Sequence, residues 1–165
     1  MDFAWRSEPE DRRISKLANF IFSFFFLFML YKDVINLETK GEMDIVDITY
    51  EVQKIVEKSG IKDGIACIFC PGSTGAITTI EYEDGLLYDL PNALEKIAPK
   101  NAYYKHEERW HDGNGHSHVR ASIIGPSLTV PVENGRLVLG TWQQIVFVEC
   151  DIRPRSRKII IHVVG

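Results

Sequence analysis

The run from Asp112 to Arg120, DGNGHSHVR, concentrates groups that bind metals and anions. Zinc or magnesium takes neutral imidazole and carboxylate donors, and Asp112, His116 and His118 supply both kinds. The alternative is that one histidine hydrogen-bonds backbone while the other lines a polar pocket. On a strand the two histidines face the same side. On a helix each residue turns about 100°, so they diverge by about 200°. Asn114 is a good N-cap and Gly125 a fitting stop, which supports the helix. His116 and Arg120 then share one face, and His118 and Ser122 another. Arg120 has the fork geometry to grip carboxylate or phosphate, or else to make a surface ion pair.

Further candidates lie elsewhere. Ser73, Thr74 and Gly75 sit in a glycine-flanked loop whose hydroxyls and N–H groups can hold phosphate. The loop lacks the G-x-x-x-x-G-K-[ST] pattern and its lysine, so a plain strand-to-strand turn is an equal reading. Glu81 and Glu83 follow and can act as acid or base, or merely end a strand in solvent. Trp142 offers a flat surface for a heteroaromatic ring, with Gln143 beside it; core packing is the alternative. Arg120, Glu81 and His118 are thus the candidate catalytic residues. Ser73, Thr74, Gly75, Asn114, Trp142 and Gln143 are candidates for binding substrate.

Several elements must position these groups. Leu30 to Leu37 has strand character, and Thr39 to Glu42 a turn. A helix capped by Asp47 or Thr49 runs to Ser59, with Val52, Ile55 and Val56 as its apolar stripe. Ile65 to Phe69 and Ala76 to Tyr82 are strands around the Pro71–Gly75 loop. Leu86, Leu87, Leu90, Leu94 and Ile97 repeat at helical spacing from a cap at Asp84, and Pro91 is expected to split that region into two short helices. Asn101 to Gly115 is a long polar, aromatic loop, a class that is usually functional or mobile. SLTVPV, Glu133-Asn134-Gly135 and RLVLG form a hairpin. QQIVFVE and RKIIIHVV are strands apolar enough to be covered on both faces. The class is α+β: one domain, mostly antiparallel sheet, with two or three helices.

The chain has 165 residues and a net charge of −4, which suits one domain and argues against nucleic acid as a partner. Cys67, Cys70 and Cys150 do not make a disulfide framework. Cys67 and Cys70 sit in a strand-like run, where i and i+3 point to opposite faces, so buried thiols are the better reading. The N-terminal part differs in composition: seven of the nine phenylalanines precede Met29. FIFSFFFLFMLY is shorter than a membrane span of about 20 apolar residues. Residues 1–28 are read as an extraneous or apolar N-terminal segment, with Met29 as the expected start of the protein. A membrane-associating segment and an uncleaved signal are the alternatives. A cytoplasmic protein is expected, with no membrane partner unless that segment is genuine.

DGNGHSHVRAS, GPSLTVPVENGRLVLGTWQ and PGSTGAITTIE together resemble the YjbQ family, described as secondary thiamine-phosphate synthases. The resemblance covers roughly Met29 to Gly165. It implies a compact α+β subunit, a homotrimer with sites near subunit boundaries, and a metal at His116 and His118. It also implies an activity: joining hydroxymethylpyrimidine diphosphate to thiazole phosphate, giving thiamine phosphate and diphosphate. The substrate would be a small phosphorylated molecule and no organic cofactor is expected. The family often has histidine where this chain has Gly72, and His106 or His111 are candidates to replace it. Two other functions fit the same residues: a metal-dependent enzyme acting on another phosphorylated small molecule, or a non-catalytic trimer that captures a metabolite or metal.

Overall fold

The computed structural model describes residues 29–165. The expectations for the N-terminal segment lie outside the described residues. Strand β1 spans Leu30–Glu38 and β2 Asp44–Asp47, and helix α1 follows at Thr49–Ser59. Next come β3 (Gly64–Phe69), β4 (Gly75–Ile80), α2 (Asp84–Ile97), the short α3 (Glu107–Trp110) and α4 (Gly115–Ile124). Strands β5 (Ser127–Glu133), β6 (Arg136–Leu137), β7 (Gln144–Glu149) and β8 (Ser156–Val164) complete the domain.

All strand pairs are antiparallel. They form a five-stranded sheet, β1-β8-β3-β5-β6, and a three-stranded sheet, β2-β7-β4. Apolar alternation explains the layering. Ile145 and Phe147 of β7 join the core between the sheets, with Ile68, Ile159, Ile161 and the Val52–Val56 stripe of α1. Val146 and Val148, one residue out of phase, pack on Ala121 of α4 and on Leu87 and Leu90 of α2. β7 is therefore covered on both faces, as its composition predicts. β8 is not: its outward positions are only partly covered.

Local chemistry accounts for the connections. The Asn134-Gly135 turn between β5 and β6 takes positive φ at both residues (53° and 76°), the backbone a two-residue hairpin requires. The N-cap of α1 is Ile48, not Asp47 or Thr49, and no side chain caps the helix; Asp47 Oδ1, one residue earlier, accepts from the Thr49 N–H at 2.8 Å. Glu83, not Asp84, caps α2, accepting from the N–H groups of Gly85 and Leu86. Pro91 does not split that helix. Leu87 and Leu90 before the proline pack against the three-stranded sheet and Leu94 after it is buried, so α2 stays continuous. Strand β2 was not foreseen; only four residues long, it completes the three-stranded sheet beside β7.

Candidate functional site

Helix α4 decides the geometry of the two histidines. Asn114 occupies its N-cap position and Gly125 its end. His116 and His118 therefore face different surroundings.

His116 is 1% exposed, and its Nε2 lies 2.9 Å from Oε1 of Glu42. Arg120, one turn later and also 1% exposed, donates from Nη1 to the same oxygen at 2.9 Å. Its Nε donates to the Ala98 carbonyl at 3.0 Å, and Nη2 to Glu95. Lys100 donates to the other Glu42 oxygen at 2.5 Å. Arg120 was expected to face a substrate anion; here it ties α4 to Glu42 and to the end of α2. Burial raises the Glu42 pKa, but hydrogen bonds and charge from Lys100 and His116 outweigh it and hold the carboxyl below its usual range.

His118 points to a second cluster. Its ring stacks at a tilt on His106, with centroids 4.4 Å apart. His106 Nε2 lies 3.5 Å from Asp112 Oδ1, and both atoms are buried with no hydrogen-bond partner among the described residues. His106, Glu107 and Asp112 each offer a donor atom within 4.8 Å of the others. Glu107 also accepts from the N–H groups of Gly113 and Gly115, at 2.8 Å each, which fixes the loop and holds its carboxyl below the usual value. Burial, and then the charge of His106, lower the His118 pKa, so its ring stays neutral and available as a donor. Orphaned buried donors, neutral imidazole and carboxylates form a set that fits a divalent cation. Of the residues expected as ligands, Asp112 belongs to that set; His118 adjoins it through the His106 ring, and His116 faces Glu42 instead. Asn114 Oδ1 is another buried acceptor, at the start of α4, with no partner among the described residues. Glu107 is absent from the sequence candidates, and His106 enters them only as a replacement for the family histidine at Gly72; the histidine-rich character of their long loop is the signal in the sequence.

Asp151 anchors the Ser73–Gly75 loop. Its Oδ2 accepts from the Thr74 hydroxyl at 3.1 Å and from Arg155 Nη2 at 2.7 Å. Beside it Glu149, fully buried, accepts from Arg157 Nε at 2.7 Å and from the Thr39 hydroxyl at 3.0 Å. Gly75 is required by close approach: a Cβ there would meet the Phe147 ring at 2.9 Å and Cys70 Sγ at 3.0 Å. Ser73 is exposed, and the loop opens on a cavity of about 210 Å³ lined also by Gly72, Ala121, Ser122 and Pro126. Ser122 follows His118 by one turn of α4 and donates to its carbonyl at 2.7 Å.

Glu81, Trp142 and Gln143 lie elsewhere. Gly75 pairs with Glu149 at one end of the β4–β7 ladder, and Ile80 with Gln144 at the other. At about 3.3 Å per residue, the Glu81 end lies about 20 Å from the Thr74 end. The Tyr82 N–H donates to the Gln144 side chain at 2.9 Å, so the two segments meet there. Glu81 and Gln143 are exposed, and Trp142 is 69% exposed. Gln143 accepts from the Gly140 N–H at 2.8 Å, within its own turn. The predicted residues thus form two groups at opposite ends of one sheet. The cysteines are free, with Cys70 and Cys150 buried.

Comparison with known proteins agrees with this architecture. The family model described as UPF0047 protein YjbQ-like matches residues 33–165. A UPF0047 protein of Methanothermobacter thermautotrophicus is 43% identical over 136 residues, covering 82% of this chain and 93% of that protein. The UPF0047 protein YugU of Bacillus subtilis is 38% identical, with 79% and 97% covered. The crystal structure of a YbjQ-like protein from Sulfolobus solfataricus P2 superposes with a TM-score of 0.80 at 39% identity, covering 84% of this chain and 99% of that one. No described helix is long and apolar enough to cross a membrane. A shared sequence pattern over nearly the whole described domain, on a shared α+β fold, places this chain in the YjbQ family.

Proposed function

We propose that this protein is a metal-assisted transferase of the thiamine-phosphate synthase type. The observation that carries the reading is the His106–Asp112 pair, whose facing atoms are buried and without a hydrogen-bond partner among the described residues, beside the His118 ring. In the reaction, the thiazole nitrogen forms a bond to the pyrimidine methylene carbon. The carbon–oxygen bond to diphosphate breaks, and the oxygen keeps the electron pair. Asp112, His118 and His106 would hold a divalent ion, which would supply Lewis acidity to the departing anion. Ser73, Thr74 and Gly75 bind its phosphate oxygens. Asn114 turns a free acceptor toward a substrate donor. Arg120, through Glu42, holds α4 and therefore His118 in position. No protein nucleophile is needed, since the thiazole nitrogen attacks.

Glu81, Trp142 and Gln143 complete the site from a neighbouring subunit of a homotrimer, with Trp142 stacking on the pyrimidine. Their exposure and their distance from His118 within one chain support this. So does an uncovered apolar face on the five-stranded sheet. Leu30, Val164, Ile65 and Pro131 pair across four strands, as do Val34, Ile160 and Phe69 across three. Leu30, Val34, Ile65 and Phe69 remain exposed. Apolar rows of this kind mark interaction surfaces.

Metal analysis of the purified protein, followed by an assay with both thiamine precursors, tests the reading. Bound zinc or magnesium and product formation abolished by chelator are expected. Turnover of a different phosphoester, with none of these precursors, would move the assignment to another phosphorylated substrate. Tight ligand binding without any turnover would make the protein a capture trimer.

A further inference from the structure

We infer that Arg157, with the Gly72–Thr74 loop, forms a preorganised oxyanion site that recognises a phosphate group of the ligand. The inference takes its location from the proposed site but does not depend on the reaction proposed there.

The argument begins with how the guanidinium is divided. Nε and Nη2 of Arg157 donate to the fully buried Glu149, and Nη2 also to the Thr74 hydroxyl at 2.9 Å. Those contacts fix the plane of the fork. Nη1 takes no hydrogen-bond partner among the described residues, and a Cβ built on Gly72 would lie 3.4 Å from it. The arm beside the loop is therefore free, and Gly72 leaves it uncovered. Arg155 holds Asp151 through Nε and Nη2 in the same way, but the arm that faces Gly72 is that of Arg157; Arg120 is spent on Glu42, Glu95 and Ala98.

The loop supplies the remaining donors. The N–H groups of Gly72, Ser73 and Thr74 have no acceptor among the described residues. Successive backbone N–H groups left free in a turn are a recurrent anion receptor. The exposed Ser73 hydroxyl adds one more donor, and the cavity of about 210 Å³ beside it gives a phosphate room to enter. Thr74 has a different part: its hydroxyl, held between Asp151 and Arg157, anchors the loop to the arginine. Charge favours an oxyanion over a neutral ligand, because a bidentate or charge-assisted contact to Arg is about twice as strong as a neutral one. Preorganisation by Glu149 means that no rotamer freedom of Arg157 is lost on binding.

The test is titration of the full-length protein with inorganic phosphate and with pyrophosphate, followed by calorimetry and phosphorus NMR. Chelator is present throughout, so a bound metal cannot report in place of the loop. Saturable one-site binding is expected in the wild type. Ser73→Asp places a carboxylate at an exposed position without touching the core, and should weaken binding by about tenfold or more. Arg157→Lys keeps a cation for Glu149 but removes the free arm, and should also weaken binding. If Arg157→Lys does not fold, Ser73→Asp carries the test alone. Lys62→Ser makes the same change of net charge at the opposite end of β3 and should leave binding unchanged. Absence of binding in the wild type, or equal binding in Ser73→Asp, overturns the inference. A negative thiamine assay beside normal phosphate binding would defeat the proposed reaction and leave this site standing.

Discussion

Arg120, itself buried, and the part-buried Glu42 form an ion pair, Nη1 to Oε1 at 2.9 Å, that joins helix α4 to the turn before β2. Truncation of Arg120 to methionine leaves Glu42 with only His116 and the exposed Lys100. Removing one partner of a buried pair costs about 3–5 kcal/mol, and the lower end applies here because Lys100 partly compensates. The half-exposed contact with Glu95 adds little. Urea unfolding of Arg120→Met should show this loss. Unchanged stability with lost turnover would instead put Arg120 in contact with substrate.

Acid should unfold the protein through the same carboxylate. The folded-state pKa of Glu42 is lowered, as is that of Asp151, where burial is outweighed by hydrogen bonds from Arg155 and the Arg153 N–H. A lowered acid contributes stability that is complete above its unfolded value, about 4 for both groups, and is lost as pH falls through the folded pKa. His118, also lowered, adds a loss that begins below its unfolded value of about 6.5. Stability measured from pH 7 to pH 3 should therefore fall in two stages. Glu42→Gln should flatten the lower stage, and His118→Gln the upper one. An unaltered profile in both variants would refute this assignment.

Part of this was legible in the chain. Asn114 and Gly125 bound a helix, and i, i+4 spacing put His116 and Arg120 on one face. What they meet there was not legible, because Glu42 lies 74 residues from His116 in an ordinary turn. His106 stacks on His118 across twelve positions that a turn divides between two helices, so no single period relates them. Arg157 reads as one charge at the start of an apolar strand, and only the buried Glu149 shows what holds it. Pro91 misled because a local rule about backbone donors was overridden by leucines anchored on both sides of it.

Metal content should separate the two histidines. His118→Ala and Asp112→Ala remove two of the proposed ligands and should abolish bound metal in the purified protein. His116→Ala should keep its metal, since that side chain serves Glu42, while lowering stability. Elemental analysis of the three variants beside wild type decides this. Loss of metal in His116→Ala, with retention in His118→Ala, would reverse the roles.

Gly75 offers a check on the packing behind the phosphate loop. An added methyl at this position must displace the Phe147 ring or Cys70, both fully buried. Overpacking of this kind costs about 1–3 kcal/mol. Gly75→Ala should melt lower than wild type, and a variant that also carries Phe147→Leu should recover part of the loss. Additive losses in the pair would mean that the ring is not what the methyl meets.

The separation of Glu81, Trp142 and Gln143 from His118 makes a prediction about subunits. If each site draws its histidine cluster from one chain and Trp142 from the next, His118→Ala and Trp142→Ala damage different halves of it. Each homotrimer alone should be inactive or strongly impaired. Mixed trimers, formed by co-expression in equal amounts, should contain intact sites wherever a Trp142→Ala chain supplies the cluster and a His118→Ala chain supplies the tryptophan. Random closed assembly makes that about one quarter of the sites, so about a quarter of wild-type activity should return. A site contained within one chain allows no such recovery, because every chain in the mixture carries one lesion. Activity that stays at the parental level, in trimers shown by native mass spectrometry to be mixed, would confine the site to a single subunit and leave Trp142 without a part in it.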